Sequence, residues 1–259
     1  MVIRTTKKTG GWIGVGCVLL LLSFIHPPQK IKVWLVGDST MADKEVRAYP
    51  ETGWGMPFET FFDSAVVVDN RAKNGRSTKS FIAEGLWAKV LDGLHEGDYV
   101  LIQFGHNDEG KEKTGRYTTP DEFKDNLARY VRETRNKKAF PILITPVARR
   151  QFDSAGKVKE SHPVYADAVR EVASKNNVPL IDLDEKSKTL LDQFGPEHSK
   201  WLFNYLDPGE HPNYPSGHSD DTHFNELGAR KMAEIVLGEI KGLQLDLAAH
   251  IRPPLPVKH

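Results

Sequence analysis

Apolar residues along this chain fall into two patterns that take turns. Short, nearly continuous apolar runs occur at Ile31–Val36, Val66–Asn70, Tyr99–Phe104, Pro141–Thr145 and Pro179–Asp182. Each is too short for a stable helix and is bounded by turn residues, which predicts strands buried on both faces of a parallel sheet. Between them, apolar residues recur at helical spacing around Met56–Phe62, Ser80–Leu91, Pro120–Lys138, Pro163–Asn176 and Asn225–Ile240. Thr119-Pro120-Asp121-Glu122 opens the third helix with proline at its first position and acids in its first turn, and Lys137-Lys138 closes it with cations. The long stretch Phe194–Thr222 has no clear period. It is rich in Pro, Gly, His and Asn, and a loop this long inside a compact domain is usually functional.

Strands alternating with helices predict an α/β fold, a five-stranded parallel sheet with helices on both faces. In the flavodoxin-like order 2-1-3-4-5, strand one lies between strands two and three. Their carboxyl ends then share one crevice, and all three ends are polar. The first leaves through Gly37-Asp38-Ser39-Thr40, the second through Ala72-Lys73-Asn74-Gly75-Arg76-Ser77, the third through Gly105-His106-Asn107-Asp108.

These exits suit acyl transfer. Ser39 stands where a nucleophile would be exposed, although Gly-Asp-Ser-Thr is also a good turn and helix cap. An oxyanion needs preorganised N–H donors, and the backbone N–H groups of Ser39 and Gly75 and the side-chain amide of Asn107 offer three. A serine hydroxyl also needs a base. His223 is the candidate, with Asp220 three residues before it to hold the imidazole tautomer and Asp221 as the rival acid. Asp38, His106, Asp108 and Asp221 are expected to brace their loops. A zinc site from His211, His218, Asp220 and His223 is the competing reading, but its spacing matches no common pattern and leaves Ser39, Gly75 and Asn107 unexplained.

Composition narrows the partners. The 259 residues are 39% hydrophobic and 27% charged, enough for a large core. Lys plus Arg equals Asp plus Glu at 35 each, so no global field favours nucleic acid or an anionic membrane. A single cysteine, Cys17, excludes internal disulfides and Cys-based zinc sites. Arg4, Lys7 and Lys8 precede an apolar run from Trp12 to Ile25, the pattern of a secretory signal, with no clean cleavage site after it. Residues 1–28 are therefore expected to be a signal peptide, or an uncleaved membrane tether, with its spacer. Residues 29–259 are expected to form one catalytic domain. Cys17 lies inside the apolar run, against a lipoprotein reading.

At Gly37-Asp38-Ser39, Gly75, Gly105-His106-Asn107-Asp108 and Asp220-x-x-His223, in that order along the chain, the sequence resembles the SGNH (GDSL-type) hydrolases. Val36–Ala42, Gly53-Trp54-Gly55, Asn74–Ser77, Thr145–Arg150 and Asp220–Phe224 resemble the rhamnogalacturonan acetylesterase branch most. The resemblance implies a three-layer α/β/α fold, a Ser39–His223–Asp220 triad, an oxyanion hole from Ser39, Gly75 and Asn107, and no metal or organic cofactor. It implies an esterase that removes O-acetyl groups from acetylated rhamnogalacturonan; with the N-terminal pattern, the protein is expected to be exported, secreted or periplasmic, and to act as a monomer. A lipase or thioesterase of the same family, and an inactive carbohydrate-binding homologue, are the alternatives. Lys73, Arg76 and Lys79 after strand two, with Arg149 and Arg150 after strand four, are expected to ring the crevice. Arg76 and Arg149 are the expected carboxylate contacts. Trp54 is the expected sugar-stacking residue, Trp201 is weighed beside it, and Trp87 reads as core.

Overall fold

Residues 1–2 and 30–253 are described by a computed structural model of the chain. The Trp12–Ile25 run, Cys17 and the proposed cleavage region lie outside the described residues. No helix among those described is long and apolar enough to cross a membrane.

Strands β1 (Ile31–Gly37), β2 (Val66–Asn70), β3 (Tyr99–Gln103), β4 (Phe140–Ile144) and β5 (Leu180–Ile181) form one parallel sheet in the order β2-β1-β3-β4-β5. This is the topology the strand pattern predicts. Alternation along each strand divides the core in two. Val33, Leu35, Leu101, Ile142 and Ile144 face one side, where helices α1 (Gly55–Phe58), α6 (Leu183–His198) and α7 (Glu226–Gly242) pack. Trp34, Val36, Val100, Ile102 and Leu143 face the other, against α2 (Thr78–Ala83), α3 (Leu86–Gly93), α4 (Pro120–Asn136) and α5 (Pro163–Lys175). The register sets Gly37 beside Gln103 and Leu35 beside Asn70, so the exits of β1, β2 and β3 lie side by side.

Helix α4 begins with the expected motif: Thr119 and Glu122 form a reciprocal capping box with Pro120 at the first turn. It buries Phe123, Leu127, Tyr130, Val131 and Thr134, one stripe at helical spacing. Three expectations differ from the structure. The helix predicted over Ser80–Leu91 is two helices, α2 and α3, because Gly85 turns the chain at a φ of 70°. β5 has only two residues, since Asp182 leaves the sheet to cap α6 through its side chain. Helix α6 covers a stretch after the fifth strand to which the sequence pattern assigns no element, and its end, with the short 3-10 turn Ser199–Leu202, lies in the stretch Phe194–Thr222 expected to be a loop. The inward stripe of α6 contains Asp184, Ser187 and Lys188, which hides its period. The Lys188 ammonium sits among Glu160, Asp184 and Glu185 at 2.6–3.1 Å.

Helix α7 carries a glycine with a packing reason. A Cβ at Gly228 would lie 1.8 Å from the Leu202 carbonyl oxygen. That contact seats the start of α7 against Leu202–Asn204, and Asn204 N–H holds the carbonyl of His223 at 2.9 Å. Gly to Ala in an exposed helix interior normally stabilises by about 1 kcal/mol. Gly228→Ala is expected to reverse that sign and destabilise by about 2 kcal/mol or more through overpacking. Thermal melting checks this, and an unchanged or raised midpoint would show that the contact relaxes freely.

Candidate active site

The turn after β1 is built from below. Asp38, fully buried, accepts from Thr40 N–H at 3.0 Å and Thr40 hydroxyl at 2.8 Å. Gln103, buried at the end of β3, donates to Thr40 Oγ1 at 2.8 Å and accepts from Trp54 Nε1 at 2.6 Å. Thr40 carbonyl accepts from Trp54 N–H at 2.9 Å, and Met41 carbonyl from Gly55 N–H at 3.1 Å. A Cβ at Gly53 would fall 2.1 Å from the Ala42 carbonyl oxygen, so the Gly53-Trp54-Gly55 segment clasps the nucleophile turn at close range. Trp54 is 0% exposed. The expectation that it stacks on sugar is therefore corrected: its ring is core and its N–H supports the turn. Trp87 is also buried, whereas Trp201 is 62% exposed and lies against the His198 ring.

On this support Ser39 Oγ lies 2.9 Å from His223 Nε2. His223 Nδ1 lies 2.8 Å from Asp220 Oδ2. Asp220 Oδ1 accepts the N–H groups of Thr222 at 2.7 Å and His223 at 3.0 Å. Burial acts to raise the Asp220 pKa, but the imidazole and these two N–H groups outweigh it and hold the carboxyl well below the usual carboxylate range. Asp221 points elsewhere, to Arg150 at 2.6 Å and the Tyr205 hydroxyl. The backbone N–H groups of Ser39 and Gly75 donate to no protein acceptor among the described residues. Gly75 has a φ of 74°. Asn107 Nδ2 donates to the Arg76 carbonyl at 3.1 Å, and its Oδ1 accepts from Arg116 at 3.0 Å.

A second, buried layer braces this surface. His106 Nδ1 lies 3.4 Å from Asp38 Oδ2, and its ring lies 4.1 Å from that of His162. His162 Nδ1 is 3.0 Å from Glu109, which also faces Arg149 at 3.6 Å. Burial, reinforced by the His162 ring, pushes His106 down to about 4, so it is neutral at pH 7. Burial opposes ionisation of Asp38, yet His106 and the two Thr40 donors leave its pKa lowered. Burial raises Asp108 to about 7. Its Oδ1 accepts from Thr78 N–H, Thr78 hydroxyl and Thr118 hydroxyl, tying the start of α2 to the loop after β3.

Ser39, Gly75, Asn107 and His223 line one open cleft of about 440 Å3 with Glu51, Arg149 and Arg116, and no hydrocarbon side chain contributes to it. It shares Lys113, Arg116 and Arg149 with an adjoining hollow of about 400 Å3. An apolar groove of about 460 Å3 lies at the other end of the sheet, around Tyr99, Phe140 and Leu245, away from these polar groups. The expected cation ring is corrected here. Arg76 turns away to pair with Glu84 at 2.8 Å and with the Asn74 carbonyl. Arg150 is 8% exposed and consumed by Asp221, Ser199 and the Pro196 carbonyl. Of the five basic residues expected there, Arg149 alone lines the cleft, and it is joined by Arg116 and Lys113, which sequence reasoning passed over.

Lys44 was also missed. Its side chain is 1% exposed, and its ammonium contacts the Ser39 carbonyl at 2.5 Å, Asn74 Oδ1 at 3.0 Å and Glu51 at 2.7 Å. No spacing marks Lys44 or Arg116 in the sequence. Gln103 did carry a signal, as the polar end of the apolar strand Tyr99-Val100-Leu101-Ile102-Gln103, where burial demands partners. Among the described residues no three His, Cys, Asp or Glu side chains gather as a metal site. His211 instead lies 5.4 Å from the Tyr49 ring.

A family model described as GDSL-like Lipase/Acylhydrolase matches residues 35–231. The rhamnogalacturonan acetylesterase RhgT of Bacillus subtilis (strain 168) is 42% identical over 223 residues, 86% of this chain and 95% of that protein. The probable rhamnogalacturonan acetylesterase YesY of the same organism is 37% identical over 224 residues, 85% of this chain and 96% of its own length. A solved Bacillus subtilis protein, YXIM, superposes with a TM-score of 0.73 at 26% identity, over 85% of this chain and 58% of that one.

Proposed function

This chain belongs to the GDSL-like lipase/acylhydrolase family, and from that premise we propose that it is a serine esterase removing O-acetyl groups from an acidic, pectin-like polysaccharide. The observation that carries the proposal is the continuous contact from Ser39 Oγ through His223 to Asp220, at 2.9 and 2.8 Å, at the mouth of an open polar cleft. In this reading His223 takes the Ser39 proton as Oγ attacks the ester carbonyl. The N–H groups of Ser39 and Gly75 and the Asn107 amide receive the developing oxyanion. His223 then returns the proton to the departing sugar oxygen, and water repeats the sequence on the acetyl-enzyme, releasing acetate. Asp220 keeps the imidazole in the tautomer that leaves Nε2 free to accept.

A long acyl chain needs an apolar groove, and none lines this cleft. That favours a small acyl group on a polar alcohol over the lipase reading. The substrate class rests on charge and on the relatives. Arg149, Arg116 and Lys113 border the cleft, and guanidinium groups bind carboxylates in a bidentate manner. Rhamnogalacturonan carries a galacturonate carboxylate on alternate sugars. Export and action as a monomer belong to the same proposal, the first supported by the basic-then-apolar run before residue 28.

Acetate release from acetylated rhamnogalacturonan is expected to exceed that from acetylated xylan, whose backbone is uncharged. The preference should shrink as salt rises, because exposed charges are screened over about 8–10 Å. Arg149→Gln and Lys113→Gln should each raise KM on the pectic polymer more than on p-nitrophenyl acetate. Equal rates on the two polymers with no salt dependence would remove the acidic substrate and leave the esterase standing.

A further inference from the structure

Two loops from different strands meet at the proposed oxyanion site, and one side chain from a third segment bonds to both of the proposed donor residues. Gly75 lies on the turn after β2 and Asn107 on the exit of β3. Arg116, eight residues beyond Asp108, returns to both: its Nη1 donates to the Gly75 carbonyl and to Asn107 Oδ1, each at 3.0 Å. The segment carrying it is pinned at its base, since Thr118 N–H and hydroxyl bond back to Asp108. A Cβ at Gly75 would stand 3.0 Å from Arg116 Nη1 and would crowd this approach, while the positive φ itself favours glycine.

We propose that Arg116 is the positioning residue of the oxyanion hole, and that it works by fixing which end of the Asn107 amide faces the substrate. The χ2 torsion of asparagine is broad and roughly two-fold, so the two ends can exchange. Its oxygen only accepts and its nitrogen only donates. A guanidinium is a donor and never an acceptor, so it can be satisfied only by Oδ1. With Oδ1 held there, Nδ2 is the end that donates to the Arg76 carbonyl, and its second N–H is left for the oxyanion of the cleft that Asn107 lines. Without that hold the amide can present Oδ1 to the developing negative charge, which repels where it should stabilise. The same guanidinium holds the Gly75 turn, so it braces two donors on separate loops beside the direct bond from Asn107 to the Arg76 carbonyl. The inference rests on the esterase reading of this cleft.

Steady-state kinetics on p-nitrophenyl acetate test it, because that ester is neutral and needs no carboxylate contact. Asn107→Ala should lower kcat by about 10²–10³-fold, the usual loss for one oxyanion donor. Arg116→Ala should lower kcat by about 10–100-fold with KM nearly unchanged, and the double variant should be no slower than Asn107→Ala alone, since the two act as one unit. Added guanidinium chloride at non-denaturing concentration should restore part of the Arg116→Ala activity. Arg116→Lys keeps the charge but not the planar fork and should stay impaired. The inference is overturned if Arg116→Ala keeps near-normal kcat while Asn107→Ala is slow, if the two losses multiply, or if Arg116→Lys restores full activity. Full activity in Asn107→Ala would reject the oxyanion reading itself, and this inference with it.

Discussion

Ser39→Ala should lower ester hydrolysis by about four to six orders of magnitude, the scale on which serine hydrolases lose their nucleophile. The loss is expected in kcat, on p-nitrophenyl acetate and on acetylated pectin alike, because a nucleophile is needed whatever the leaving group. Stability should hardly change. Ser39 Oγ contacts His223 Nε2 and carries none of the bonds that form the turn. Those run from Asp38, Gln103 and Trp54 to Thr40, and from Lys44 to the Ser39 carbonyl. The variant should therefore melt within a degree or two of the parent while the cleft is chemically silent. Activity within about tenfold of the parent, with contaminating esterase excluded, would move the nucleophile elsewhere.

The central strands were legible in the sequence because a parallel strand buried on both faces is apolar nearly throughout, and edge strand β2 because Val66-Val67-Val68 carries strong β-propensity. β2 was read to the residue, and β1, β3 and β4 within one residue at each end. The meeting of the three strand exits followed from strand order alone. Helix α6 escaped because its inward stripe binds charge: Lys188 and Asp184 are buried as ion pairs, so the hydrophobic period is missing where the packing period is present. Within the site, residue types along the chain pointed to Ser39, Gly75, Asn107, Asp220 and His223; four of them line one cleft, and Asp220 stands behind His223 at 2.8 Å. Direction was not legible. Trp54 and Arg76 sit on the expected loops, but one turns into the core to support the turn and the other pairs with Glu84. A cation on a crevice loop is as readily consumed by a neighbouring carboxylate as offered to a ligand. Arg149 also has partners, Glu109 at 3.6 Å and the Thr222 hydroxyl at 2.7 Å, but they hold it within the cleft wall, whereas Glu84 draws Arg76 away from it.

The choice between adjacent acids yields the second large effect. Under the proposed function, Asp220→Asn should lower kcat by about 10⁴-fold, the scale on which a Ser-His-Asp triad responds to this change. The amide can still accept the N–H groups of Thr222 and His223, so the loop should survive. Its nitrogen, facing His223 Nδ1, favours the tautomer that places a proton on Nε2, and His223 then has no lone pair for the Ser39 hydroxyl. Asp221→Asn should behave oppositely. Its carboxylate partners Arg150, an 8% exposed guanidinium, and the Tyr205 hydroxyl. Losing that charge should lower the melting temperature by a few degrees and leave kcat within about threefold. The pH profile separates the roles further. With its folded pKa depressed, Asp220 adds stability that is present above the ordinary carboxylate value of about 3.9 and is lost only as pH falls through the lower folded value. It therefore stays ionised well below the ordinary carboxylate range, so the charge that faces His223 Nδ1 persists at mildly acidic pH. A 10⁴-scale loss in Asp221→Asn with near-normal kcat in Asp220→Asn would reverse the assignment.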